Sequence, residues 1–413
     1  MSRTFPAKVL ILRNAIEECK NMSELKQIHS QIITSPFIHK NQHHFLISRL
    51  LFFCAFSNSG SLSYATNVFR HIKEPNLYVY NIMIRAYACK FGESNDTHLY
   101  QSLKLYKRML FSGILPDFLT FPFLLKECTR RHDGLVGSNI HGQAIKFGLY
   151  DDVFVQNSMI SLYMACGFVT RAKKLFDEMF SRDVVSWNTM IIGYLRSGDL
   201  DEALDLFRRM KKRNVISWNS IITGFVQGGR AKEALEFFQE MQSSSDDDVF
   251  KPDKITIASV LSACAYLGAI DHGNWVHGYL NRSGLECDVV IGTALVDMYG
   301  KCGCVGRAYA VFKEMPEKDT LAWTAMISVF GLHGRFDDVK RIRNIMKERG
   351  IRKEIPGCSM VEVDGVVHEF SVRGSPEVVI EEPVWVLKEL RKVMNFEDRA
   401  HYIKDLHMEA HIS

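Results

Sequence analysis

Apolar residues along this chain recur at three- and four-residue steps, in short blocks that stop and start again. From Val184, Trp187, Met190, Ile191 and Tyr194 keep one such rhythm; after a break, Leu200, Ala203, Leu204, Phe207 and Met210 keep another. Each block reads as the apolar face of a helix. Gly198 suits the end of the first helix and Asp199 the cap of the second, so the pattern predicts a helical hairpin. The next stretch writes it again: "VVSWNTMIIGYLRSGDLDEALDLFRRM" from Val184 is followed by "VISWNSIITGFVQGGRAKEALEFFQEM" from Val215, and the two differ mainly at positions of exposed type.

Further copies give units of two main lengths. Residues 46–76, 153–183, 184–214 and 289–319 are units of 31; residues 118–152, 254–288 and 320–354 are units of 35. Residues 77–117 and 215–253 reach 41 and 39 through insertions around "GESNDT" and "SSSDDD". A degenerate unit at 11–45 precedes them, marked by "LKQIHSQII". Gly60, Gly167, Gly198, Gly229, Gly268, Gly303 and Gly334 all fall at the fifteenth place, so the turn belongs to the repeat. A period of about 30 to 40 residues with two helices per unit means a solenoid, in which stacked neighbours build one continuous core. The fold class expected is all-α: a right-handed α-solenoid of helical hairpins with a small C-terminal extension.

With 47% apolar and 24% charged residues the chain is far from the composition of disorder. Its longest apolar runs fall short of the roughly 18–20 residues that a membrane helix needs, so no membrane insertion is expected. The net charge of +4 permits a polyanionic partner without demanding one. Ten cysteines and fifteen histidines invite a metal reading, yet they follow the repeat: Cys128 and Cys264 share place eleven of their units, Cys166 and Cys302 place fourteen, His141 and His277 place twenty-four. Residues in step with the fold are packing residues first, and a free cysteine packs as a small hydrophobe. Cys302 and Cys304 form only a Cys-x-Cys, without the second ligand pair of a zinc site. No metal or other cofactor is expected. The opening "MSRTFPAKVLILRNAIEE" holds Arg3, Lys8 and Arg13 before its first acid, Glu17. Residues 1–10 suit a short targeting segment of the basic, acid-poor kind, and equally the frayed first turn of a solenoid cap.

Units of 31 and 35 residues, with "SWNTMI", "EALDLFRRM", "TALVDMYGKCG", "SACAYLGAIDHG" and "KPD", resemble the pentatricopeptide repeat family, specifically its plant class in which P, L and S type repeats alternate. The resemblance runs from about Leu10 to Phe370. The Trp-x-x-Leu-Gly-x-x-Tyr phrase of tetratricopeptide repeats does not occur. The resemblance implies sequence-specific binding of single-stranded RNA, one base per repeat, read by the fifth residue of helix A and the last residue of the unit. Carried over by position, the pairs are Asn81 with Asp117, Asn157 with Asp183, Asn188 with Asn214, Asn219 with Asp253, and Thr293 with Asp319. An amide both donates and accepts while a carboxylate only accepts, so such pairs can address base edges. By the family's code they favour U, U, pyrimidine, U and G. The 35-residue L units carry Pro122 and Ala258 at place five and read nothing; Leu50 with Asn76 is equally silent. Val185, Ile216 and Val290, at place two, are candidates to sandwich bases. Arg196 and Lys301, at place thirteen, are candidate phosphate contacts or ordinary surface cations.

After Glu354 the pattern changes. "IPGCSMVEVDGVVHEFSV" alternates around Asp364-Gly365, a dipeptide suited to a two-residue hairpin turn, and a helix is expected near Val384–Met394 before a polar tail. Residues 355–413 form this extension. From Gly334 onward, "GRFDDVKRIRNIMKERGIRKEIPGCSMVEVDGVVHEF" resembles the family's E extension, which is associated with C-to-U editing of organellar transcripts. The Thr320 unit opens as an ordinary repeat and runs directly into it, as though intervening repeats were missing.

No catalytic constellation stands. His407-x-Glu409 copies the first half of a zinc deaminase motif, but the Pro-Cys-x-x-Cys half does not follow, and there is no Walker loop, GxSxG or HExxH. The chain is therefore not expected to be an enzyme. The reading is an RNA-binding specificity factor for organellar C-to-U editing, with a deaminase-bearing protein acting in trans. Placement in a mitochondrion or chloroplast is implied, the mitochondrion slightly favoured. A transcript-stabilising factor and a peptide-binding scaffold are the alternatives.

Overall fold

A computed structural model describes residues 7–35, 39–89, 100–243, 250–351, 358–363 and 366–371. The chain divides into two compact units, Met1–Met315 and Pro316–Ser413.

The first unit is an α-solenoid of helical hairpins. Its first helices, here helices A, include Leu77–Cys89, Val153–Ala165, Val184–Ser197, Val215–Gln227, Lys254–Leu267 and Val289–Lys301; each packs on the helix A before it, and all but the last on the one after it. The second helices, helices B, include Gln101–Phe111, Val169–Glu178, Leu200–Arg209 and Ala231–Ser243, and each packs on its own helix A and, more lightly, on the next one. Every helix A is thus flanked on several sides, and its apolar residues are buried: Met190, Ile191 and Tyr194 are at most 3% exposed.

Residues at the unit ends start the helices. Asp152, Asp183, Asn214, Asp253 and Asp288 each accept a hydrogen bond from the backbone N–H three residues on, at 2.8–3.1 Å. These caps satisfy a donor that the first helical turn leaves open. At the other end, Gly198 takes φ 86°, a left-handed conformation that glycine adopts without a Cβ clash. The Phe118 unit has His132 at that place, also left-handed at φ 53°, and its ring Nδ1 lies 2.8 Å from the Ala165 carbonyl oxygen.

Aromatic and guanidinium groups lock successive hairpins together. The rings of Phe176 and Trp187 meet edge to face with centroids 5.1 Å apart, and those of Phe207 and Trp218 at 4.9 Å. Arg182 and Arg213 lie over Phe176 and Phe207 while donating to the carbonyls that end helices B. Each arginine thereby covers a ring and caps a helix C-terminus, where a cation is favoured.

Three boundaries differ from the sequence reading. The helix holding Leu46 spans Lys40–Phe56 and so opens before the unit does. In the Phe118 unit the helix opens at Thr120, because Asp117 accepts from the N–H groups of both Leu119 and Thr120. Within residues 1–10, Ala7 already begins the helix Ala7–Glu18, whose Val9, Leu12 and Ile16 are buried. Most of both insertions lies outside the described residues.

In the second unit, Thr320–Leu332 and Phe336–Glu348 form a hairpin over a core of Trp323, Met326, Phe330 and Ile342. Strands Cys358–Val363 and Val366–Ser371 pair antiparallel with Val363 opposite Val366, a two-residue connection. The helix expected near Val384–Met394 falls outside the described residues, as does His407-x-Glu409.

Candidate functional site

Place five of helix A puts a buried amide in four units. Asn81, Asn157, Asn188 and Asn219 are 5–9% exposed. Each donates from Nδ2 to the residue that ends its unit: Asn81 to Asp117 at 2.9 Å, Asn157 to Asp183 at 3.2 Å, Asn188 to Asn214 at 3.3 Å, and Asn219 to both carboxylate oxygens of Asp253 at 3.0 and 2.9 Å. The fold therefore brings together the two side chains of each of these pairs. The register follows from capping. A unit's last residue is the cap of the next helix A, and the cap stands beside place five of the helix already laid down. Sequence reasoning missed this double duty, although an Asp or Asn at each unit end is the signature of an N-cap.

Asp183 shows the electrostatic consequence. Burial works against its charge, but hydrogen bonds from the N–H and hydroxyl of Ser186 and from Asn157 outweigh that and hold its carboxyl below the usual range. It remains an anion at neutral pH. In the Lys254 unit, Asp288 is instead paired with Lys254 at 2.9 Å.

The four amides differ on their acceptor side. The Thr120 hydroxyl donates to Asn81 Oδ1 at 2.9 Å, and that of Thr256 to Asn219 Oδ1 at 2.5 Å. Place three of the corresponding later units is Ser186 and Ser217, whose hydroxyls donate to Asp183 and Asn214. Asn157 Oδ1 and Asn188 Oδ1 are buried without a hydrogen-bond partner among the described residues. Thr293 Oγ1, in the fifth pair, is likewise buried without a partner among the described residues of its own unit. Asp319 belongs to the second unit, where it caps Thr320–Leu332 through the Ala322 N–H at 2.8 Å.

Place two is a row of exposed apolar side chains. Val185, Ile216 and Val290 are 56–61% exposed, and Tyr78, Leu119, Phe154 and Ile255 continue the row at 42–65% in units where the sequence reading had not marked it. Large apolar groups left open at one repeat place are the usual mark of a contact surface. Arg196 is exposed near the end of its helix. Lys301 is held by Asp297 at 2.8 Å, so a phosphate would have to compete with a carboxylate there. Pro122 and Ala258 hold place five of the L units without a polar side-chain group.

The periodic cysteines and histidines lie in the packing. Cys128 and Cys264 are fully buried, and burial pushes both thiols up to about 12. His141 and His277 bond through Nδ1 to the hydroxyls of Tyr163 and Tyr299, at 2.6 and 2.9 Å. Among the described residues, no helix is long and apolar enough to cross a membrane.

Among known proteins, residues 157–184 and 185–215 match a family model described as PPR repeat, residues 213–265 one described as PPR repeat family, and residues 304–362 one described as E motif. The pentatricopeptide repeat-containing protein At5g66520 of Arabidopsis thaliana is 47% identical over 343 residues, 83% of this chain and 53% of that one. At3g26630 of the same plant, named as chloroplastic, is 42% identical over 333 residues, 81% of this chain and 70% of that one. The chain spans about half the length of At5g66520, At5g06540 and At1g31920. The crystal structure of the pentatricopeptide repeat protein PPR10 from maize is 18% identical over 84% of this chain and 55% of that one, with a TM-score of 0.48.

Proposed function

The chain belongs to the pentatricopeptide repeat family and carries its E motif, and from that premise we propose that it binds single-stranded RNA by sequence and directs C-to-U editing in an organelle. The deaminase comes from another protein in this reading. One observation carries it: four buried amides stand in register, each held by the residue that ends its own unit, beside a row of exposed apolar groups at place two. A solvated surface asparagine would be exposed and free to turn. These are held in fixed orientation at one repeat spacing, as a one-base-per-repeat reader requires.

The five pairs then read U, U, pyrimidine, U and G from the N-terminal side, with the L units as gaps. Val185, Ile216 and Val290 sandwich the bases, and Arg196 and Lys301 meet phosphates. The E motif favours editing over simple protection of a transcript. Its matched region begins at Cys304, earlier than Gly334, and so takes in a helix B of the array and the whole Thr320 hairpin.

The test is a competition assay with U-rich single-stranded RNA, the matched duplex and a scrambled strand. Salt-sensitive preference for the first is expected; equal binding of all three would remove the RNA reading. Loss of individual edited cytidines in a plant lacking the protein then supports editing, whereas a shortened transcript with editing intact supports protection.

A further inference from the structure

The four amides present two different faces. Where an L unit follows, its place-three threonine occupies the asparagine carbonyl: Thr120 on Asn81 and Thr256 on Asn219. All four place-three hydroxyls lie against the cap residue, Thr120 and Thr256 at 2.9 and 3.0 Å from Asp117 and Asp253, Ser186 and Ser217 at 2.8 and 3.0 Å from Asp183 and Asn214, but only the threonines also reach the asparagine carbonyl; those of Asn157 and Asn188 have no partner among the described residues. All four place-three side chains are fully buried, so water does not equalise them. The threonine methyl restricts its χ1 and holds the hydroxyl where it is.

We propose that Thr120 and Thr256 are specificity-positioning residues that make Asn81 and Asn219 donor-only readers, while Asn157 and Asn188 read with a donor and an acceptor. This rests on the base-reading function proposed above. Every Nδ2 gives one hydrogen to the cap residue and keeps one for a ligand. At the closed places the carbonyl is already engaged, so a base is recognised there through its acceptors. At the open places a base N–H or amino group finds a buried carbonyl that lacks a partner, and a base without a donor leaves it unsatisfied. Asn157 with Asp183 and Asn219 with Asp253 are the same pair of residue types. They differ in the hydroxyl that follows, so a code of two letters per repeat assigns them the same behaviour and the structure does not.

The experiment uses the full chain and a U-rich RNA in which single nucleotides are replaced by the riboside of pyrimidin-2-one, whose Watson–Crick edge carries acceptors and no donor. Asn157→Ala and Asn219→Ala first locate the nucleotides facing those repeats, as the ones whose base preference each variant abolishes. In the unaltered protein the replacement should weaken binding about tenfold at the Asn157 nucleotide and less than about threefold at the Asn219 nucleotide. Thr256→Val, which removes the hydroxyl at nearly constant volume, should bring the second place to the behaviour of the first. Ser186→Thr should do the reverse at Asn157. Thermal unfolding checks that each variant is folded, and the comparison within the unaltered protein needs no variant to fold. Equal weakening at both located nucleotides overturns the proposal and leaves base reading standing, as does a folded Thr256→Val with unchanged preference. If neither alanine variant changes preference at any nucleotide, base reading itself falls, and this proposal with it.

Discussion

The Val184 and Val215 units and the two L units differ most at the places facing the amide row. The former pair put tryptophan at place four, wedged against a helix B phenylalanine, and asparagine at place five. The L units, from Phe118 and Lys254, put Phe121 and Ile257 at place four, Pro122 and Ala258 at place five, threonine at place three and a histidine in helix B. A unit without a polar group at place five is not idle. It supplies the hydroxyl that completes the amide of the unit before it, whose own last residue caps the L unit's first helix. The amide site is thus a property of a junction, and its hydrogen bonding depends on which kind of unit comes next.

The wedge should be the most sensitive point of the comparison. Trp218 is 1% exposed, packs on Phe207 and has Arg213 over its ring. Trp218→Ala leaves a large cavity at a junction and should destabilise the first unit by about 3–5 kcal/mol. Ile257→Ala, at the same place of an L unit, removes a smaller side chain and should cost about 2–5 kcal/mol. Chemical denaturation measures both; a smaller loss for the tryptophan would show that the wedge does not hold the junction.

A new reading place can be written into an L unit. Ala258→Asn puts an amide at place five, and its unit ends in Asp288. That aspartate is already paired with Lys254, and this contact and the Ile291 N–H hold its carboxyl below the usual range, so it stays charged and able to accept. The variant should acquire a base preference of about 1–3 kcal/mol at a nucleotide the unaltered protein ignores. Binding with unchanged, flat preference there would mean that place five needs more than an amide and an anion. Thr293→Asn makes the companion test by moving the preference facing that repeat from G toward U.

Much of this was legible in the sequence, for a physical reason. A solenoid has short-range order, so each helix announces its own apolar face, and Trp187 or Leu204 can be assigned without knowing anything distant. The β-hairpin was legible through the alternation around Asp364-Gly365, and the pairing of Val363 with Val366 agrees with a two-residue turn there. What the sequence did not show were relations between neighbours. The period places Asn219 and Asp253 at their repeat places, but that Asp253 is both a cap and a partner, and that Thr256 takes the remaining carbonyl, depends on how one helix A lies against the next. The unit at Leu46 lacks a capping residue at its start, and its helix runs back to Lys40, ahead of the unit boundary read from the repeat.

The hairpin turns give a smaller contrast. Gly198→Ala forces a left-handed backbone on a residue with a Cβ, although the space beside it is open, and should cost about 1 kcal/mol or somewhat more. In the L unit the same conformation is borne by His132, which recovers part of that cost through its bond to the Ala165 carbonyl. His132→Gly should therefore change stability less than Gly198→Ala does, and thermal unfolding of the two variants compares them directly. A larger effect at His132 would mean that its bond across the junction, rather than the backbone, sets the stability of that turn.

The gentlest prediction concerns the histidines at place twenty-four of the two L units. His141 and His277 are both held below the ordinary imidazole range by burial; at His277, Glu314 opposes the shift and Arg307 adds to it. A histidine whose folded pKa is depressed binds fewer protons in the native state than in the unfolded one. Its contribution to stability is complete above the unfolded value near 6.5 and is lost as the pH falls toward the folded one. The melting temperature of the first unit should accordingly fall between about pH 7 and pH 5. Replacing both residues by phenylalanine, which keeps the ring and removes the titration, should flatten that slope, at the expense of the bonds to Tyr163 and Tyr299. An unchanged slope in the double variant would move the acid sensitivity to His29 and His43, which burial also holds below the ordinary imidazole range.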